Sequence, residues 1–94
     1  MAEHAGALPI PPRALNDRKG VELARVWAAG GKQHVTIRAD IWNDPAAWGM
    51  MLVDLARHVA SAYAEGKGLD PAAALERIKL GFDAEWGHPT DAPG

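Results

Sequence analysis

Residues 42–63 read WNDPAAWGMMLVDLARHVASAY. Trp48, Met51, Leu52, Leu55, Val59 and Tyr63 recur at three- and four-residue steps, which lines them along one side of a 3.6-residue helix. That side is expected to be buried. Asp44 is a good N-cap. Pro45 suits the first helical position, because proline has no N–H to leave unsatisfied there and its φ is already helical. Gly66 or Gly68 can stop the helix.

Downstream, Asp70-Pro71 repeats the same kind of start. Leu75, Ile78, Phe82 and Trp86 then recur at helical spacing, which predicts a second amphipathic helix over 71–86. Gly81 inside it weakens the helix by about 1 kcal/mol relative to alanine. Gly81, like Gly49 in the first helix, is a place where a neighbour would be able to come close. Both helices open with Asp-Pro-Ala-Ala, at 44–47 and 70–73. The apolar positions beyond do not align, so this is a shared way of starting a helix and not an internal repeat.

Upstream, residues 21–38 read VELARVWAAGGKQHVTIR. Two β-rich runs flank Gly30-Gly31, and a glycine pair supplies the positive φ angles of a two-residue hairpin turn. Strands are expected at about 21–28 and 33–38. With the glycines in the turn, Val26 faces Val35, Ala24 faces Ile37, Trp27 faces His34 and Arg25 faces Thr36. Ala24, Val26, Val35 and Ile37 then share one face, expected to pack on the helices. Leu23, Arg25, Trp27, His34, Thr36 and Arg38 share the other. Residues 1–20 contain Pro9, Pro11 and Pro12 and read as an extended arm, anchored by Leu8, Ile10 and Leu15. The first few residues are expected to be mobile.

The expected organisation is therefore an α+β chain. An arm (1–20) leads into a ββαα domain (21–87), whose two helices pack on one face of the small antiparallel sheet, and a flexible tail (88–94) follows. Ninety-four residues make one domain with a thin core. The four tryptophans, at 27, 42, 48 and 86, carry much of its apolar area. The longest apolar stretch, Trp48 to Val53, is far short of the roughly 20 residues that span a bilayer. The opening MAEHAGALPIPP has neither a basic n-region nor an apolar h-region, so it does not read as a secretory signal. The chain has no cysteine, which removes disulfides and thiolate zinc sites and suits the cytoplasm. The net charge of −2 is uneven: residues 1–38 carry +3 and the remainder −5. The two halves attract each other, too mildly to demand an anionic partner.

RVWAAGGKQHVTIR, then WNDPAAWGMMLVDLARHVASAY, then GFDAEW resemble, in order and spacing, a family of small bacterial proteins catalogued only as a domain of unknown function, DUF5076. The resemblance spans about residues 10–90, nearly the whole chain. It implies a compact cytoplasmic domain. It supplies no activity, ligand or catalytic residue.

Three constellations have chemistry in them. Asp54, His58 and Ser61 fall at i, i+4 and i+7 on the outer side of the first helix, the ingredients of a nucleophilic triad. No nucleophile-elbow turn or oxyanion-hole loop accompanies them, so a solvated helix stripe with Asp54 pairing Arg57 or His58 is the plainer reading. Asp54 and His58 also have the spacing of two metal ligands, but nothing selects a third from His34, His88 or a partner subunit, and no metal site is expected. Arg25, Trp27, His34 and Arg38, with Lys32 nearby, form a basic and aromatic hairpin face able to bind a small ligand or anion. The count is small and the net acidity works against nucleic acid. Lys32 after Gly30-Gly31 is not a phosphate loop, since the pattern and the following helix are missing.

A two-stranded sheet is marginal alone, and a tryptophan-bearing face beside free strand edges invites a second copy. The leading expectation is thus a non-enzymatic, homodimeric interaction or structural protein without cofactor. Leu23, Trp27, Trp42, Trp48 and Trp86 are its expected interface residues. A small-ligand or anion-binding module on the hairpin face is the alternative.

Overall fold

The computed structural model describes residues 4–90. Of the expected mobile start and flexible tail, residues 1–3 and 91–94 lie outside the described residues. The elements run α1 (Pro12–Leu15), β1 (Ala24–Ala29), β2 (Lys32–Ile37), α2 (Ala46–Lys67) and α3 (Pro71–Gly87), an α+β chain with an N-terminal arm. It divides into two compact units, Met1–Ile41 and Trp42–Gly94.

The first unit is the arm and the hairpin. The arm is not wholly extended as expected, for Pro12 opens a single helical turn in which the Leu15 N–H donates to the Pro11 carbonyl at 2.9 Å. Proline at this position loses no hydrogen bond and brings a helical φ, so the same residue that argues against a long helix starts a short one. A second turn follows, where the Gly20 N–H donates to the Asp17 carbonyl at 3.0 Å and the Lys19 N–H to Asp17 Oδ1 at 2.9 Å. A Cβ on Gly20 would sit 3.1 Å from the Asp17 carbonyl oxygen, so a side chain here would push the turn open by a few tenths of an ångström.

β1 and β2 pair antiparallel in the expected register: Ala24 with Ile37, Arg25 with Thr36, Val26 with Val35, Trp27 with His34. Gly30 and Gly31 have φ of +60° and +75°. Positive φ at both central residues gives a turn whose twist matches that of the strands, and this pins the register. The Arg38 N–H donates to the Leu23 carbonyl at 2.8 Å, which carries the pairing one residue past the strands.

The second unit is a helical pair. Asp44 starts α2, its Oδ1 accepting from the Ala46 N–H at 3.0 Å and its carbonyl from the Ala47 N–H at 3.0 Å. Pro45 already has helical angles, φ −56° and ψ −20°, although regular bonding begins at Ala46. Gly68 ends the helix at φ +69°, and its N–H donates to the Ala64 carbonyl at 3.0 Å. Asp70 then caps α3, its side chain accepting from the Ala73 N–H at 3.2 Å.

Which side of α2 is buried differs from expectation. Among the described residues the buried apolar ones are Ala60 on α2 and Ala74 on α3, at 2% and 7% exposure. Trp48 and Met51 are half-buried, whereas Leu52, Leu55, Val59 and Tyr63 remain exposed. Ala56, Ala60 and Ala64 follow one another at i, i+4 along α2, roughly a third of a turn from the large side chains. Two helices come together most closely where side chains are small, so the alanine row, not the bulky stripe, forms the helix–helix contact. The glycines are not where that approach occurs, since a Cβ on Gly49 or Gly81 would meet nothing within 4 Å.

Candidate functional site

The hairpin register brings Arg25, Trp27, His34 and Thr36 onto one face, with Arg38 just beyond β2. Each of the candidate ligand residues already has a partner. Arg25 Nε donates to both Glu22 carboxylate oxygens, at 2.9 and 3.1 Å. Arg38 Nε donates to the Glu22 carbonyl at 3.0 Å. One residue, Glu22, thus gathers both arginines, one through its side chain and one through its backbone. In the sequence Glu22 stands three residues ahead of Arg25, an acid–base spacing that lies outside the strand alternation defining the basic face.

His34 and Trp27 are engaged as well. His34 Nε2 lies 3.1 Å from the Ala29 carbonyl oxygen, a bond in which the ring N–H donates. The Trp27 ring meets the His4 ring edge-on, centroids 5.0 Å apart. Gly6 makes room for this contact: a Cβ there would lie 3.2 Å from His4 Nδ1 and 3.4 Å from the Trp27 ring. The arm is therefore seated on the tryptophan face.

An open hollow of about 440 Å³ at this end of the hairpin is lined by Glu22, Arg25, Arg38 and Asp40 among others. Two bases and two acids leave little net field for an anion. A larger, mostly apolar hollow of about 960 Å³ lies between arm and β1, with Leu8, Ile10, Leu15 and Trp27 in its lining.

The expected interface residues fall into three places. Leu23 and Trp27 are half-buried on the hairpin. Trp42 packs edge-on against Trp48 with centroids 5.2 Å apart, closing the start of α2. Trp86 stacks on Phe82 at 5.5 Å and is 78% exposed.

Asp54 and His58 form a surface pair across one turn of α2, His58 Nε2 to Asp54 Oδ2 at 3.3 Å, with both side chains 75% exposed. Open to water on this scale, the pair does not form an enclosed acid–base site. Among the described residues no group of three His, Cys, Asp or Glu side chains is placed to hold a metal ion. No helix among them is long and apolar enough to cross a membrane.

Fold and site together define a small α+β chain in which a polar, aromatic hairpin face is occupied by its own arm and its own acid, and the helical unit carries large exposed apolar side chains. The chain belongs to a family described as a domain of unknown function (DUF5076), whose model matches residues 7–90. It is similar to a solved structure described as a candidate pyruvate dehydrogenase from the photosynthetic bacterium Rhodopseudomonas palustrus CGA009. The two are 34% identical and superpose with a TM-score of 0.71, over 93% of this chain and 89% of that one. No curated protein matches the chain.

Proposed function

We propose that this chain is a cytoplasmic, non-enzymatic interaction or structural protein that works as a homodimer. The observation that carries this reading is the disposition of apolar surface. Alanines alone are buried among the described apolar residues, while Val26, Val35 and Ile37 on the hairpin and Leu52, Leu55, Val59 and Tyr63 on α2 are exposed. Fully burying a Val, Leu or Ile side chain stabilises by about 1.5–3 kcal/mol, so much of this chain's apolar stabilisation is left to a partner. Contiguous apolar surface on a small chain marks an interaction site, and a twofold dimer is the commonest way to cover it. The cysteine-free composition suits a reducing compartment.

The anion-binding alternative has two arginines at one end of the hairpin in its support. Against it, Glu22 already holds Arg25 by its carboxylate and Arg38 by its carbonyl. The dehydrogenase name is that of the Rhodopseudomonas chain, and the residues described for this one lead to no oxidoreductase step.

Light scattering across a range of concentrations tests the reading. The expected result is a mass of two chains that falls toward one on dilution. A single-chain mass at millimolar concentration overturns it.

A further inference from the structure

The two faces of the hairpin are unlike. Trp27 on the polar face is met by His4, with Gly6 close beside it. The opposite face consists of Ala24, Val26, Ala28, Gln33, Val35 and Ile37, without a charge. On it Val26 is 64%, Val35 48% and Ile37 53% exposed. The α2 stripe of Leu52, Leu55, Val59 and Tyr63 is likewise uncharged, and its members are exposed by 47%, 49%, 40% and 45%. Each surface is therefore left uncovered by the rest of its own unit.

We infer that the aliphatic hairpin face of one copy docks on the Leu52, Leu55, Val59 and Tyr63 stripe of a second copy, and the reverse, so that two identical contacts close the dimer. This rests on the homodimer reading above and says which surfaces meet.

Three observations select this pairing. The first is that an uncharged face on an uncharged stripe buries no ionised group, so no desolvated charge is left without a partner. The second is length. Leu52 to Tyr63 spans about 17 Å along a helix at 1.5 Å per residue, and Ala24 to Ala28 spans about 14 Å along a strand. The third is charge. The unit Met1–Ile41 holds six basic and four acidic residues, and Trp42–Gly94 four basic and eight acidic. A hairpin approaching a partner's helices is attracted, whereas hairpin on hairpin and helix on helix repel.

Reciprocity follows from closure. A twofold axis requires that if residue i of one copy touches residue j of the other, j touches i. Three aliphatic side chains against four make a small contact. Repeating it about the axis doubles the area toward the roughly 1,600 Å² of a standard interface.

The absence of native cysteine makes disulfide trapping a clean test. Full-length chains carrying Val26→Cys and Val59→Cys are mixed at the concentration where the wild type is dimeric and oxidised with copper phenanthroline. Both substitutions are small and at exposed positions, and circular dichroism checks that helix content is kept. The expected result is a mixed dimer joined between positions 26 and 59, at least about tenfold more abundant than either like-with-like product. Predominant 26–26 or 59–59 products overturn the proposal. So does a disulfide closed within one chain when both cysteines are placed in the same copy. The two readings fail separately: a wild-type monomer sinks the homodimer and the pairing with it, while a wild-type dimer that traps like with like sinks the pairing alone.

Discussion

His4 and Trp27 lie 23 positions apart in the chain, and their rings meet edge-on at 5.0 Å with planes 79° apart. Two glycine-scale details make that contact. The Gly6 N–H donates to His4 Nδ1 at 2.9 Å, and the lack of a Cβ at Gly6 leaves space beside both rings. Edge-to-face aromatic pairs contribute about 0.5–1.5 kcal/mol beyond their area. His4→Ala is therefore expected to cost an amount in this range in denaturant unfolding. Gly6→Ala is expected to remove the cross-peaks between the His4 and Trp27 rings in nuclear Overhauser spectra. Cross-peaks that persist in Gly6→Ala would show that the arm is seated by something other than this glycine.

Ala60 tests the helix–helix contact. It is 2% exposed, and three further methyl-sized groups have no room there. Overpacking a well-packed position costs about 1–3 kcal/mol. Ala60→Leu should destabilise the chain by that much in thermal or urea unfolding, whereas Leu55→Ala, at an exposed position, should cost a monomer far less. Equal costs in the monomer would mean that the large stripe, not the alanine row, is what α2 buries within the chain.

Gly68 ends α2 in the left-handed region at φ +69°, which costs a residue with a Cβ about 1–2 kcal/mol. Gly68→Ala should lower the melting temperature accordingly, while Gly66→Ala, in the helix interior, should be neutral or raise it. The opposite order would place the helix stop at Gly66.

Lys79 Nζ donates to Asp83 Oδ2 at 2.7 Å across one turn of α3. Hydrogen bonding to Asp83 first, then its charge, holds the Lys79 ammonium above its ordinary pKa. A raised folded-state value means that the pair's contribution is fully present below the ordinary lysine range and is lost as pH climbs through the raised value. NMR titration of the Lys79 side chain should give a midpoint above the ordinary lysine value, and Asp83→Asn should bring it down. A Lys79 midpoint unmoved by Asp83→Asn would show that the pair does not persist in solution.

Much of this architecture is local and was legible for that reason. Asp44-Pro45 and Asp70-Pro71 mark helix starts because capping needs only a carboxylate within three residues of the N–H groups it satisfies, and both carboxylates accept such bonds. Gly30-Gly31 set the hairpin register because the turn that requires two positive φ angles leaves the strands a single alignment. The candidate site was less legible. The residue types on the hairpin face were evident from alternation, but Glu22, which claims both arginines, lies outside the strands and obeys no period.

The sequence by itself determined the hairpin, the two long helices with their Asp-Pro starts and the pairing of β1 with β2, since each depends on residues a few positions apart or on one turn. The helical turn at Pro12–Leu15 and the start of β1 at Ala24 departed from the extended arm and the strand start at about 21 that were expected. Tertiary structure alone decided which surfaces those elements hide. The periodic large side chains of α2 showed that it has an apolar side, yet the side it turns to α3 is the row of Ala56, Ala60 and Ala64, because backbones approach closest over the smallest groups. It likewise decided that Trp27 takes His4 from the far end of the arm, a contact that no spacing in the chain announces.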